Sequence, residues 1–470
     1  MAFLHGIETV EVNTGPRPIS VVRAAVVGLI GIAPKGPLET CTVVYNDVDA
    51  AQFGAELPGF TIPQALNSIF AQGAGTVIVV NVFDPDTMTA TVTAEEQVVA
   101  SQKIQLDFAP IGETITLNAA GGTPTYTAGT QYTVDEFGLV SILDTATILN
   151  GVTLEATYEK LDASAITSSE IIGAVSGGNV RTGLKAFGDA FSLFGFEPTI
   201  FIAPKYVETS AVATDLIATA ELFRGFALID APVGTTQAIA IAGRGPLGAI
   251  NFFTGSKNAV LLYPHLKRIN PKTDTEESVP YSQYFAGVWC DTISRLGYQY
   301  SPSNKPIAGI TGIEQPVSFN PTSTSTDANA LNAAGIVTVG QNFGTGLITW
   351  GNRSAAYPTS TAPDNFMAVL MTAYIIDKSI EQASLQFVDL PLNAALIDSI
   401  LSTANAFLRS LIARGAIIDG AVTFPSAKNS DEELAAGHVT FDITFMPPTP
   451  AERITYDRFI DISLLAALTA

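Results

Sequence analysis

Four short apolar runs that each end at a proline constrain the fold of this 470-residue chain more than any other feature. They are Val77 to Val82 before Asp84-Pro85, Thr199 to Ala203 before Pro204, Phe226 to Ile229 before Pro232, and Val260 to Tyr263 before Pro264. Proline has no N–H and cannot extend a ladder, so each run reads as a buried strand with a defined end. Helix-compatible stretches accompany them, notably Ile62 to Gln72 and Val207 to Phe223. That combination predicts an α/β layer with short connections.

The length exceeds what one core supports, so several domains are expected. The predicted class is an α/β (α+β) multidomain protein: a mixed-sheet α/β body, an inserted all-β lobe, and extended strand-like arms at both ends. The expected divisions are an N-terminal arm at 1–18, the body at 19–83 and 171–345, the lobe at 84–170, a C-terminal α/β domain at 346–446 and a C-terminal arm at 447–470. Thr-rich alternating runs separated by Gly and Pro turns mark the lobe: Lys103 to Phe108, Glu113 to Leu117, Gln131 to Val134 and Val152 to Tyr158. With 13 acidic residues against only Lys103 and Lys160, it carries −11 of the net charge of −21. Such a field argues against a nucleic-acid surface, which would need a local basic cluster, and the sequence contains none. Charged residues make up only 14% of the chain, well below the roughly 25% of an average soluble domain. Either the surface is economical, or much of it faces other protein.

Beyond a Ser/Thr/Asn/Asp-rich stretch from Phe319 to Asn332, expected as a loop or linker, two amphipathic helices are predicted over Asp364 to Phe387 and Asn393 to Ala413. The second has Asn393 placed as N-cap, Arg409 and Arg414 at its negative end, and Gly415 as its stop.

The two ends share a design. His438 to Phe445 alternates strictly between apolar and polar residues, then Pro447, Pro448 and Pro450 impose a stiff spacer. A second alternation follows, with Ile454, Tyr456, Ile460, Ile462 and Leu464 on one side. At the other terminus Ile7 to Val12, including Val10, is strand-like and is separated from the body by Pro16 and Pro18. A lone strand must find a sheet edge for its N–H and C=O groups. The ends either fold back on their own domain or exchange with neighbouring subunits, the latter producing an open head-to-tail polymer.

Signals for chemistry are thin. Gly243 to Gly248 matches GxGxxG, but Pro246 stands where a helix should begin, which favours a tight turn. Gly28 to Gly36 lacks the GK[ST] ending of a phosphate loop. His5, His265 and His438 are scattered, Asp84-Pro85-Asp86 reads as a turn, and Asp230 at a strand end reads as a cap or salt-bridge partner. Trp350, Asn352 and Arg353 read as a packing or subunit contact, and Cys41 and Cys290 as buried small apolar groups. No catalytic residue, cofactor site or metal site is expected. Ala24 to Ala33 is too short to span a bilayer, so a soluble protein made in a cytoplasm, without membrane insertion, is expected.

Several segments, in order, resemble the contractile-tail sheath proteins of bacteriophages and related contractile particles: Pro16 to Val22 with Gly28 to Pro37, Asn67 to Phe83, Tyr298 to Val317, Trp350 to Arg353, and the strand, proline spacer and strand at the C-terminus. The resemblance implies a non-enzymatic virion component that stacks as hexameric rings around a tail tube and contracts to drive the tube through a cell envelope. It also implies arms that add strands to neighbouring subunits, and as partners further copies of this chain, the tube protein, and the baseplate and tail terminator proteins, with no direct contact to nucleic acid. Arg409 and Arg414 are the candidate tube contact. Phage tail and phage-derived bacteriocin particle both fit, and an α/β enzyme with a decorated β lobe is the rival of another class.

Overall fold

The computed structural model describes residues 17–468 apart from Ala74 and Phe343. Its largest sheet contains β1 (Val26–Gly31), β2 (Thr42–Val44), β3 (Thr76–Asn81), β4 (Ile200–Ile202), β5 (Phe226–Asp230), β6 (Ala259–Leu262), β7 (Ile336–Asn342) and β8 (Gly346–Trp350). The spatial order is β8-β7-β6-β5-β4-β1-β3-β2, parallel throughout the interior with an antiparallel strand at each edge. Both faces are covered, so the central strands are apolar at successive positions rather than at every second one. Val26, Ile78, Phe201 and Ile229 face α2 (Ser210–Leu222), while Val27, Val77, Ile200 and Leu228 face α1 (Ile62–Phe70), α3 (Tyr281–Arg295) and α4 (Met367–Ser384).

α3 lies deep against the sheet, with Trp289 and Phe285 fully buried. It crosses α1 closely at Gly287, where a Cβ would stand 2.7 Å from the Ile69 carbonyl oxygen. The turn after the short helix Gln237–Ala242 holds Arg244, whose guanidinium donates five hydrogen bonds to the carbonyls of Ala334, Phe252, Thr254, Ala355 and Tyr357 at 2.6–3.0 Å. The Gly243 to Gly248 segment is thus a tight turn that ties four loops together.

Residues 89–161 form two small sheets of their own. One orders Thr89–Val98, Thr153–Leu161, Ile111–Ala119 and Thr125–Tyr126, the other Lys103–Gln105, Leu139–Ile142 and Tyr132–Val134. Leu117, Tyr132, Val140, Leu154 and Tyr158 pack between them as a separate apolar cluster. The chain enters this region through a turn in which the Asp84 carboxylate accepts from the Asp86 N–H and the Thr87 hydroxyl, at 3.1 and 3.0 Å.

Three expectations need revision. The segment expected to be a loop from Phe319 to Asn332 ends in a helix, Asp327–Ala333, because Thr326 caps it and Ser318 and Asp327 lock the approach through side-chain hydrogen bonds. The division at 345/346 falls inside the β7–β8 hairpin, and α4 buries Met367, Leu370 and Met371 in the core of the large sheet. The strand expected over His438 to Phe445 starts only at Asp442, because its first residues are held by the Asn429 side chain instead of by a strand.

Candidate assembly interface

The C-terminal unit is built from α5 (Ala394–Ala413) and a two-stranded antiparallel sheet, β9 (Asp419–Thr423) and β10 (Asp442–Met446). α5 forms where its signals place it: the Asn393 side chain accepts from the Leu396 N–H at 2.9 Å, and Gly415 stops it at φ 71°. Ala404, Phe407, Leu408 and Leu411 pack against Val422, Ile417 and Phe445. By length and composition α5 is apolar enough to cross a membrane, but its C-terminal half packs on this sheet.

The edges of the two-stranded sheet differ. Asn405 on α5 receives the Val422 N–H and donates to the Val422 carbonyl, both at 2.9 Å, and so stands in for a neighbouring strand along β9. Val422 therefore points its backbone groups away from β10. In an antiparallel ladder its cross-strand partner, Ile443, then points its own groups away from β9, and Phe445 two residues on does the same. Among the described residues no strand covers that side of β10. An open edge of this kind recruits an extended segment.

Beyond Pro447 the chain runs without secondary structure to Asp461 and ends in a 3-10 helix, Ile462–Leu468. Its apolar side chains are uncovered: Ile454 is 67% exposed, Tyr456 88% and Ile460 85%. The strand expected from Ile454 onward is thus not formed within one subunit, and Ile462 and Leu464 lie in the terminal helix. The physical reason is that a strand exists only against a partner, and none of the described residues supplies one here. Ile7, Val10, Val12 and His5 lie outside the described residues. Where the described chain begins, Arg17 is held by Gln386, whose amide accepts from its N–H at 2.7 Å and donates to its carbonyl at 3.2 Å.

Arg409 and Arg414 are exposed and form no ion pair among the described residues. An apolar surface adjoins α5 at its other end, where Leu385, Val388 and Leu390 are exposed and Leu396, Ile397 and Ile400 are half-buried. Trp350 packs edge-on against Phe319 at 4.9 Å, and Arg353 is paired with Glu452 in the C-terminal segment beyond Pro450. Neither Asn405 nor Glu452 was singled out by sequence reasoning. An Asn in mid-helix opposite a strand is a weak signal for the first; nothing local marks the second.

The body's interior also holds buried titratable groups. Asp230 is fully buried at the end of β5, with its carboxyl pushed up to about 6 by burial, partly offset by His265. His265 is raised as well, burial being outweighed by its hydrogen bond to Glu208 and by the neighbouring Asp230. Cys41 and Cys290 are buried free thiols pushed up to about 12 by burial. Among the described residues no group of His, Cys, Asp and Glu is placed to hold a metal ion.

A family model described as the phage tail sheath protein central domain matches residues 173–355. Over 471 residues the chain is 43% identical to the tail sheath protein of Burkholderia phage BcepMu, covering 99% of this chain and 98% of that one. The chain belongs to the phage tail sheath protein family. Sheath proteins are structural components of contractile-tail virions and not enzymes, so the buried polar groups of the body serve its architecture. The tail sheath protein of Escherichia phage P2 is 26% identical over 466 residues, 99% of this sheath subunit and 98% of that protein. In fold the sheath subunit matches the helical sheath of the anti-feeding prophage in its contracted state, with a TM-score of 0.62 at 17% identity over 98% of this chain and 100% of that one.

Proposed function

We propose that this sheath subunit polymerises by strand exchange into stacked hexameric rings around the tail tube, and that the polymer contracts to drive the tube through the host envelope for genome ejection. One observation carries the reading. Among the described residues no strand covers the outer edge of β10 at Ile443 and Phe445, and the alternating apolar residues beyond Pro450 are exposed. An arm from one copy adds to that edge in the next, and because donor and acceptor surfaces differ, the contact is heterologous and propagates without closing a pair. The division into arms, body, acidic lobe and a C-terminal domain that begins beyond α4 follows the same logic, with the lobe outward and its charge keeping the assembly soluble. The subunit's partners are then other copies, the tube, and the baseplate and terminator proteins at the two ends, with assembly in the host cytoplasm.

Arm pairing survives contraction while the bodies rotate and bury new surface, so contraction needs no nucleotide. α5 faces the tube, a reading supported by its uncovered apolar approach and by Arg409 and Arg414, exposed cations without an ion-pair partner among the described residues of an acidic subunit. Deleting 1–18 or 449–470 should leave soluble monomers that form no sheaths in electron micrographs. Normal sheaths from either deletion would overturn the proposal.

A further inference from the structure

Arg353 sits in a socket that fixes its guanidinium on three sides. Its backbone bridges Phe366, and the guanidinium carbon lies 4.1 Å from the Phe366 ring centroid and 4.4 Å from that of Tyr357. One Nη1 hydrogen bond goes to the Asn365 side-chain oxygen at 2.8 Å, and Asn365 is itself fully buried and donates to the Ser360 carbonyl at 2.8 Å. Two aromatic rings and one hydrogen-bond acceptor of the body therefore hold the cation. The remaining edge, Nε and Nη2, meets the two carboxylate oxygens of Glu452 at 2.8 and 2.5 Å. Among the described residues, no other hydrogen bond or ion pair joins 447–468 to the rest of the chain.

We propose that Arg353 and Glu452 form a clamp that fixes the root of the C-terminal arm to the body of its own subunit, so that every copy offers the segment from Ile454 to Ile460 at one angle. The inference rests on the strand-exchange reading and says how the arm is aimed. Pro447, Pro448 and Pro450 stiffen the first part of the spacer, but from Ala451 onward nothing in the backbone restricts direction. Glu452 lies where that restriction ends. Fixing it confines the arm to a small volume beside the neighbouring edge, which raises its effective concentration there. The forked geometry matters as much as the charge: two parallel N–H···O bonds define a direction, whereas an ammonium group would define only a distance. Since the Glu452 side chain is 44% exposed and that of Arg353 18%, salt weakens the clamp without abolishing it.

The test uses the full-length chain with Glu452→Gln, which keeps the shape and removes the charge, and Arg353→Lys, which keeps the charge and removes the fork. Spin labels at Thr455→Cys and Ser402→Cys report the arm-to-body distance in unpolymerised subunits. The native Cys41 and Cys290 are buried and stay unlabelled. The clamp requires a narrow distance distribution in the otherwise native chain and a broad one in both variants, with unchanged melting by circular dichroism. It also requires several-fold higher subunit concentrations before sheaths sediment. A distribution equally broad in the native chain, or equally narrow in Glu452→Gln, overturns the clamp. Failure of the native chain to form sheaths would instead overturn the strand-exchange reading, while the distance measurement on monomers still decides the clamp.

Discussion

The Asp230 carboxylate at the end of β5 accepts a 2.8 Å hydrogen bond from the backbone N–H of Ser282 in the first turn of α3. It thereby satisfies a free N–H at the start of a buried helix from a strand 52 residues away in sequence. Burial raises this carboxyl from 3.8 to about 6, with His265, Glu208 and Ser282 as its polar neighbours. A folded value above the unfolded one means that the fold binds the extra proton. Stability from this group is complete below pH 3.8 and is lost as pH rises through about 6. Asp230→Asn cannot titrate, so the unfolding free energy of the native chain in urea should fall relative to the variant across that window, by about 3 kcal/mol. Parallel profiles would contradict this account.

Ile443 directs its N–H outward from the sheet, whereas the neighbouring Thr444 faces Ala421 within the ladder. Proline at an outward edge position removes only the free donor. Ile443→Pro should leave the subunit folded, with an unchanged circular dichroism melt, and prevent sheath formation in electron micrographs. Thr444→Pro should instead destabilise the C-terminal unit. Sheath assembly by Ile443→Pro at native efficiency would exclude this edge as the acceptor.

Arg244 has no carboxylate partner among the described residues and satisfies five carbonyls instead. Truncation to Met would leave the Ala334, Thr254, Ala355 and Tyr357 carbonyls without this donor at the junction of the loops, while the Phe252 carbonyl keeps the Thr254 N–H. The expected loss is at least about 3 kcal/mol in chemical denaturation, since each buried acceptor left without a donor costs about 1–3 kcal/mol. A loss within about 0.5 kcal/mol, the size of an ordinary surface change, would mean that water replaces the guanidinium.

Arg409 and Arg414 lack ionic partners among the described residues, so reversing their charge should leave the fold intact. If α5 faces the tube, Arg409→Glu with Arg414→Glu should abolish co-sedimentation of sheath with tube while sheath polymers still form. Co-sedimentation equal to that of the native chain would reject the assignment.

The parallel core was legible residue by residue, because a buried strand stopped by proline is a local pattern: Val77 to Val82 and Phe226 to Ile229 fall within one residue of β3 and β5. Both ends of α5 were legible for the same reason, since capping by Asn393 and termination at Gly415 act within a turn. The end of β10 at Met446 was also legible, from Pro447 and Pro448 just beyond it. The strand expected from Ile454 is absent among the described residues, because alternation states a preference for pairing and not the presence of a partner.

What the sequence by itself determined, then, is where strands, helices and breaks occur, since propensity, capping and proline geometry operate over a few residues. The tertiary structure alone decided which edge of β10 no described strand covers and what the segment beyond Pro450 touches. The first depends on Asn405 meeting Val422 17 residues away, the second on Arg353 meeting Glu452 across 99. Such pairs are fixed by register and packing, which bring together side chains that carry no mark of each other in the chain.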